Sequence, residues 1–293
     1  MEEVSEFLVY LESIKKYSSN TIINYELDLE KFELYLKLKH KNYKNILYKD
    51  VLDFINYLND NHESTSINRC LSSLRSFYNY LISKNIVKDN PFKLVRGMKT
   101  PKKLPNYFKY NEYVELINSI DTNTILGIRN KCIFEVLLCT GCRVNELVNI
   151  TLNNIDINSR EIKVLGKGNK ERIVYLGSYA VDSIKEYLRV RSELLNNKTN
   201  NYLFLNHLGN KLTTRGIREI IDKILLKSST NLKLTPHTFR HSFATMLLNE
   251  GCDLKSVQDL LGHVSLSTTS IYTHISKEEL KRVYLHTNPR KMK

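Results

Sequence analysis

The chain has 293 residues, is 42% hydrophobic and carries a formal net charge of +13. That length suits one large or two smaller domains, and no apolar run reaches the roughly 18 residues of a membrane span. The acidic start Met1-Glu2-Glu3 does not resemble a basic secretory leader, and the five cysteines, odd in number and set among apolar residues, read as reduced thiols of a cytoplasmic protein.

Charge divides the chain unevenly. Residues 1–90 hold 12 basic and 13 acidic side chains, a net of −1, whereas residues 91–293 hold 32 and 18, a net of +14. A surplus confined to one part of a chain is the electrostatic footprint of a nucleic-acid partner.

Four helices are expected in the first 85 residues. Val4, Phe7, Leu8, Leu11 and Ile14 recur at helical spacing, and Ser18-Ser19-Asn20 breaks that helix and offers a cap to the next. Ile22, Tyr25, Leu29, Phe32 and Leu36 form a second stripe. Asp50 is placed to cap a third helix, and Ser64 or Thr65 to start a fourth that carries Ile67, Leu71, Leu74, Tyr78 and Leu81. The stripes predict a small helical bundle over residues 1–88. Pro91, Pro101 and Pro105 then interrupt helical continuation, so residues 89–107 read as a linker. Arg96, Lys99, Lys102 and Lys103 make it basic and are the expected backbone-contacting residues for DNA.

Residues 108–293 read as a second, mixed domain. A short helix follows Asn111, and an apolar helix over 124–139 ends at Gly141. Two β-rich runs, Glu161–Leu165 and Arg172–Leu176, flank the turn Gly166-Lys167-Gly168-Asn169-Lys170 and predict a hairpin. Helices are expected over 178–195 and 213–227. Thr235-Pro236 opens another that runs to about Asn249, and Asp253 caps a short helix ending at Gly262. The fold class is therefore mainly α, with a small β-hairpin or sheet.

The chemistry concentrates near the C-terminus. His237 and Arg240, three apart, project from one helix face, and His263 and Tyr272 follow in Leu261-Gly262-His263 and Ile271-Tyr272-Thr273. Upstream lies Arg143, in Thr140-Gly141-Cys142-Arg143-Val144-Asn145-Glu146-Leu147. Cationic and donor groups that hold phosphate oxygens, with one phenol to attack phosphorus, suit a phosphodiester. Metal chemistry is not expected. His237 and His241 have a zinc-site spacing, but Thr238 stands where H-E-x-x-H has glutamate, and Cys139-Thr140-Gly141-Cys142 has no second pair. No P-loop run occurs, so no ATP requirement is implied.

These motifs closely resemble the tyrosine recombinase, or phage integrase, family over nearly the whole chain. The resemblance implies an N-terminal SAM-like core-binding bundle, a basic linker and a C-terminal catalytic domain. The run from Thr140 to Leu147 looks like the family's first arginine box, and Gly166–Arg172 like the hairpin turn that presents a catalytic lysine, here Lys167. His237-x-x-Arg240, Leu261-Gly262-His263 and Tyr272 complete the set; Cys142 and Phe239 stand where an aliphatic residue is frequent. The implied roles are Tyr272 as nucleophile, Arg143 and Arg240 on the non-bridging oxygens, His237 as proton acceptor, His263 as phosphate ligand and Lys167 as general acid. No cofactor is implied.

The short chain, without an arm-binding domain, resembles the cellular Xer recombinases, which resolve chromosome dimers before cell division. That implies double-stranded DNA with an imperfectly palindromic site and a tetramer of one or two kinds of subunit. A second Xer recombinase, the cell-division DNA translocase and a C-terminal tail docking on the neighbouring subunit follow from the same likeness. The alternatives are a phage or mobile-element integrase or transposase, a catalytically inactive DNA-binding architectural protein, a metal-dependent hydrolase on His237 and His241, and a monomeric topoisomerase.

The charge distribution yields one direct expectation. Log affinity for DNA falls with log salt at roughly −0.9 per phosphate neutralised. Neutralising Lys99, Lys102 and Lys103 together weakens binding to all sequences alike and flattens that slope in a salt titration. An unchanged slope would show that this stretch does not follow the phosphate backbone.

Overall fold

A computed structural model describes residues 2–99, 107–166, 170–228, 234–262 and 277–290. The chain divides into two units, Met1–Lys103 and Leu104–Lys293.

In the first unit the four expected helices form: α1 (Glu2–Ser13), α2 (Ser19–Leu38), α3 (Tyr48–Asn59) and α4 (Ser64–Ser83). The Ser18 hydroxyl caps α2 by accepting the Thr21 N–H at 3.4 Å. Asp50 acts differently from expectation. It lies in the first turn of α3 rather than before it, and its carboxylate accepts the N–H of Leu47, the residue at the cap. Either position satisfies an orphan donor of a helix start. The apolar stripes meet in one core, with Phe7, Phe32, Phe54, Leu74 and Phe77 essentially inaccessible.

The segment expected to begin the linker belongs to this core over residues 90–98. Phe92 is fully buried, 5.6 Å from the Phe32 ring, and Val95 is buried beside it. Arg75 on α4 donates to the carbonyls of Phe92 (3.3 Å) and Val95 (3.1 Å), and Asn68 exchanges two hydrogen bonds with Met98. The short run from Pro91 to Met98 is too brief and mixed to show a period, so the sequence reads as connector where the chain is strapped down. Arg96 and Lys99 remain exposed on that strap; Lys102 and Lys103 lie outside the described residues.

The second unit is built around α6 (Ile125–Thr140), whose residues from Cys132 to Thr140 are all buried. It packs against α8 (Ser178–Val190) and α10 (Pro236–Asn249). The Thr124 hydroxyl caps its start, and Gly141, at φ +57°, ends it. A Cβ on Gly141 would stand 2.5 Å from the Phe243 ring, so close packing as well as backbone conformation asks for glycine. Around this axis lie α5 (Tyr110–Asn118), α7 (Val144–Val148), α9 (Thr214–Lys227) and α11 (Leu254–Leu261). The expected hairpin is β2 (Glu161–Leu165) and β3 (Glu171–Tyr175), antiparallel, with Ile162 opposite Val174. A two-residue β1 (Ile155–Asp156) adds an edge that the sequence did not announce, and five-residue α7 was likewise too short to show a period. The five cysteines are free and buried, Cys70 in the first unit and the other four in the second. No helix among the described residues is long and apolar enough to cross a membrane.

Helix α12 (Lys277–Thr287) sits on its own domain, with Tyr284 buried among Tyr175, Phe243, Leu247 and Leu261. Lys281 donates to the Ser159 carbonyl and the Glu161 carboxylate. Beyond the helix, Arg290 forms a buried ion pair with Glu135 on α6, and its guanidinium lies 3.6 Å from the Tyr179 ring centre. Leu280, Val283 and Leu285 pack, partly buried, against the same cluster as Tyr284.

Removing one partner of a buried ion pair leaves an uncompensated charge and destabilises by about 3–5 kcal/mol. Arg290→Ala therefore lowers the urea midpoint of the second unit and opens residues 277–290 to limited trypsin digestion. The double change with Glu135→Leu recovers most of that loss.

Candidate functional site

The site begins where α6 stops. After the left-handed turn at Gly141, Arg143 occupies the residue before α7, with extended backbone. Glu146 follows three positions later, the spacing at which a carboxylate reaches back to the start of its own helix. Its Oε2 accepts the Arg143 N–H at 2.7 Å, and its Oε1 accepts the Arg143 guanidinium at 2.9 Å. A third residue joins from the hairpin: Arg172 on β3 donates to the same Oε1 at 2.7 Å. Glu146 is 3% exposed. Burial raises its pKa, but Arg172 and Arg143 outweigh burial and hold the carboxyl below the usual carboxylate range.

Arg240 comes from the opposite direction, on α10. Its guanidinium donates to the Gly141 carbonyl at 2.7 Å and the Leu261 carbonyl at 2.8 Å, tying the end of α6 to the end of α11. Burial, then the charges of Arg143 and Arg172, lower its pKa to about 10. Three mutually repelling guanidinium groups thus face one carboxylate. Among the described residues the cluster carries a surplus of positive charge, and planar forked donors suit the oxygens of an anion.

His237 lies one turn before Arg240 on α10, exposed to solvent. It borders a cavity of about 320 Å³ with Val144, Arg218, Asp222, Leu234 and Pro236. The Thr235 hydroxyl caps the helix and Pro236 occupies its first turn, so His237 and Arg240 project from a well-defined start. The next turn is locked from inside: Phe239 is fully buried, 5.1 Å from Phe134 and 5.2 Å from Phe108, and the Ser242 hydroxyl accepts the Phe108 N–H at 3.0 Å. His241 instead packs edge-on against Tyr107.

The structure therefore brings together Arg143 and Arg240, with His237 on the same helix as Arg240. Lys167, His263 and Tyr272 lie outside the described residues; Gly166, which precedes Lys167, and Gly262, which precedes His263, both border the cluster. A Cβ on Gly166 would come 3.7 Å from the Glu146 carboxylate, and one on Gly262 would come 2.8 Å from Arg172. Glu146 and Arg172 were not singled out from sequence. The three-residue offset of Glu146 from Arg143 was a usable signal; Arg172, one more charge after a hairpin turn, gave none.

The model of the phage integrase family matches residues 106–279, more than half of the chain, and that of the phage integrase N-terminal SAM-like domain matches residues 4–85. The chain belongs to the phage integrase family. A tyrosine recombinase XerC from Anoxybacillus flavithermus is 43% identical over 97% of this chain and 96% of its own length. Among solved structures, a XerH site-specific recombinase bound to its difH substrate before cleavage is 28% identical, covers 90% of this chain and 78% of its own, and superposes with a TM-score of 0.68. A lambda integrase tetramer bound to a Holliday junction shares the fold at 17% identity and a TM-score of 0.71, over 92% of this chain and 79% of its own. Both units are thus accounted for within the family, the helical bundle as the SAM-like domain and the α6-centred unit as the integrase domain.

Proposed function

We propose that the chain is a Xer-type site-specific recombinase that breaks and rejoins DNA through a tyrosyl phosphate. The observation that carries this reading is the meeting of Arg143 and Arg240 in a half-buried cluster with surplus positive charge beside the buried Glu146, in a chain that shares over 40% of its residues with a XerC tyrosine recombinase.

The chemistry follows from the residues. A phosphodiester is anionic and repels nucleophiles. Arg143 and Arg240 neutralise its non-bridging oxygens as charge grows toward the five-coordinate transition state. A free phenol has a pKa of about 10 and attacks poorly when protonated, so the Tyr272 hydroxyl gives its proton to His237 as its oxygen bonds to phosphorus. The bond from phosphorus to the 5′ oxygen breaks, and Lys167 supplies the proton that this oxygen takes. His263 hydrogen-bonds the phosphate. The tyrosyl ester conserves the energy of the broken bond, so a 5′-hydroxyl of a second strand reverses the steps without ATP.

Exchange between two duplexes requires four active sites, hence a tetramer on double-stranded DNA with an imperfectly palindromic site. Arg96 and Lys99, held outward on the strap of the first unit, together with Lys102 and Lys103, supply phosphate contacts. The cellular role is chromosome dimer resolution in the cytoplasm at division, with a second Xer recombinase and the division translocase as candidate partners.

Two measurements test this. A binding-site selection on random DNA supplies the target, which is made into a nicked suicide duplex. The wild-type chain is trapped on a 3′ phosphate, with the adduct mapping to Tyr272, while Tyr272→Phe binds the duplex and forms none. An adduct at another tyrosine, or on a 5′ phosphate, removes the assignment.

Lys167→Ala slows cleavage by about 10²–10⁴-fold, the usual contribution of a general acid. Replacing the bridging 5′ oxygen with sulfur, a leaving group that needs no proton, restores most of that rate. Failure of this rescue would assign Lys167 to phosphate binding instead.

A further inference from the structure

Arg172 has no part in the chemistry described above, yet it touches both Glu146 and Gly262. One of its guanidinium nitrogens, Nη1, donates to Glu146 Oε1 at 2.7 Å, the oxygen that also receives Arg143. Its Cδ packs against Gly262, where an added Cβ would stand 2.8 Å away. Gly262 closes α11 in a left-handed conformation and directly precedes His263 in the chain. Arg172 itself sits on β3, two residues past Lys170, whose carbonyl closes the hairpin turn on the Gly166 N–H. One side chain thus joins the strand of the hairpin, the carboxylate of the Arg143 turn and the end of α11.

The remaining donors of Arg172 sharpen the point. Nε and Nη2 are shielded from solvent and find no acceptor among the described residues. A buried donor without a partner is unfavourable, and such groups are rare unless a function retains them. A leucine or methionine here would fill the same space against Gly262 without that penalty. The charge is kept where a stable core alone would not keep it.

Resting on the recombinase reading, we propose that Arg172 is a positioning residue for phosphate activation: through Glu146 it fixes Arg143, and through Gly262 it sets the end of α11 against the same frame. Glu146 has two oxygens. With Arg172 on Oε1, the carboxylate is turned so that Oε2 meets the Arg143 N–H and Oε1 meets its guanidinium, which leaves the rest of that guanidinium's donors for an anion. Without Arg172 the carboxylate is free to rotate and to hold Arg143 as an ordinary ion pair, out of register with the phosphate. Repulsion from Arg172 also keeps Arg143 and Arg240 from settling onto Glu146 more deeply.

The full chain and the suicide duplex described above provide the test. Single-turnover cleavage is measured at saturating protein on two substrates, one with the ordinary scissile phosphodiester and one with a neutral methylphosphonate there. Arg172→Met keeps bulk against Gly262 and removes charge and donors. It slows cleavage of ordinary DNA by about 100-fold, the size of effect that a small misplacement of a catalytic group produces. Half-site affinity stays near that of the wild type, and the thermal midpoint falls only in part, because Arg143 still pairs with Glu146. On the methylphosphonate, which lacks the anionic oxygen that demands an aligned guanidinium, the slowing shrinks below about 10-fold. Arg172→Lys, which retains a charge for Glu146 but not the fork, falls between on ordinary DNA and shows the same substrate dependence.

Equal slowing on both substrates would overturn the inference and leave Arg172 a purely structural residue; if the methionine variant does not fold, the lysine variant decides by the same comparison. Wild-type rates on ordinary DNA would also overturn it. If the wild-type chain itself forms no adduct, the recombinase reading falls and this inference with it. An adduct from the wild type with equal slowing in the variants removes the inference alone.

Discussion

Glu146 sets the frame on which the second unit's chemistry is built. It is a single buried carboxylate, and it accepts from a backbone N–H and two guanidinium groups at distances between 2.7 and 2.9 Å. Charge-assisted hydrogen bonds of that length are among the stronger polar contacts a protein makes. They act here between segments far apart in sequence, the turn after α6 and the strand β3. Because the carboxylate is shared, neither arginine is neutralised by it. An exposed surface pair would be screened and would fix nothing. Buried, the same groups act as both a joint and a source of field.

The second half of the frame is α10, and its design is a division of faces. Phe239, Phe243 and Met246 point into the domain, while His237 and Arg240 begin the helix at its exposed or half-buried edge. The aromatic contacts of Phe239 with Phe108 and Phe134 stop the helix from turning about its axis. Arg240 then spends its donors on two carbonyls at helix ends, those of Gly141 and Leu261, which have no partner within their own helices. One cation thereby satisfies two helix ends and stays beside the Arg143 turn.

Much of this was legible in the sequence because it depends on short-range rules. The 3.6-residue stripes gave α1 to α4, the paired β-rich runs around a glycine turn gave β2 and β3, and Thr235-Pro236, Gly141 and Gly262 marked helix ends where they occur. Arg143, His237 and Arg240 were identified by motif spacing, and the first and last of them meet. What escaped depends on tertiary contact. Phe92 and Val95 show no period yet complete the first core, so the expected linker begins later than the prolines suggest. Arg172 is ordinary in sequence and acquires meaning only from Glu146 and Gly262. The tail helix carries the apolar face that the sequence displays, with Tyr284 buried in the core of its own domain.

The burial of the cysteines has a practical consequence. Alkylating reagents attack the thiolate, and burial pushes Cys142 up to about 11 and Cys70 to about 12, with Cys132 and Cys139 also well above the ordinary range. At pH 8 a thiol with a pKa of 11 is ionised roughly one time in a thousand, and it is also walled off from the reagent. Reaction therefore waits for opening of the surrounding structure. Cys70 lies in the first unit and the other four in the second, so the chain carries a separate internal clock for each. The order in which these thiols become labelled registers which unit opens first, without any added probe.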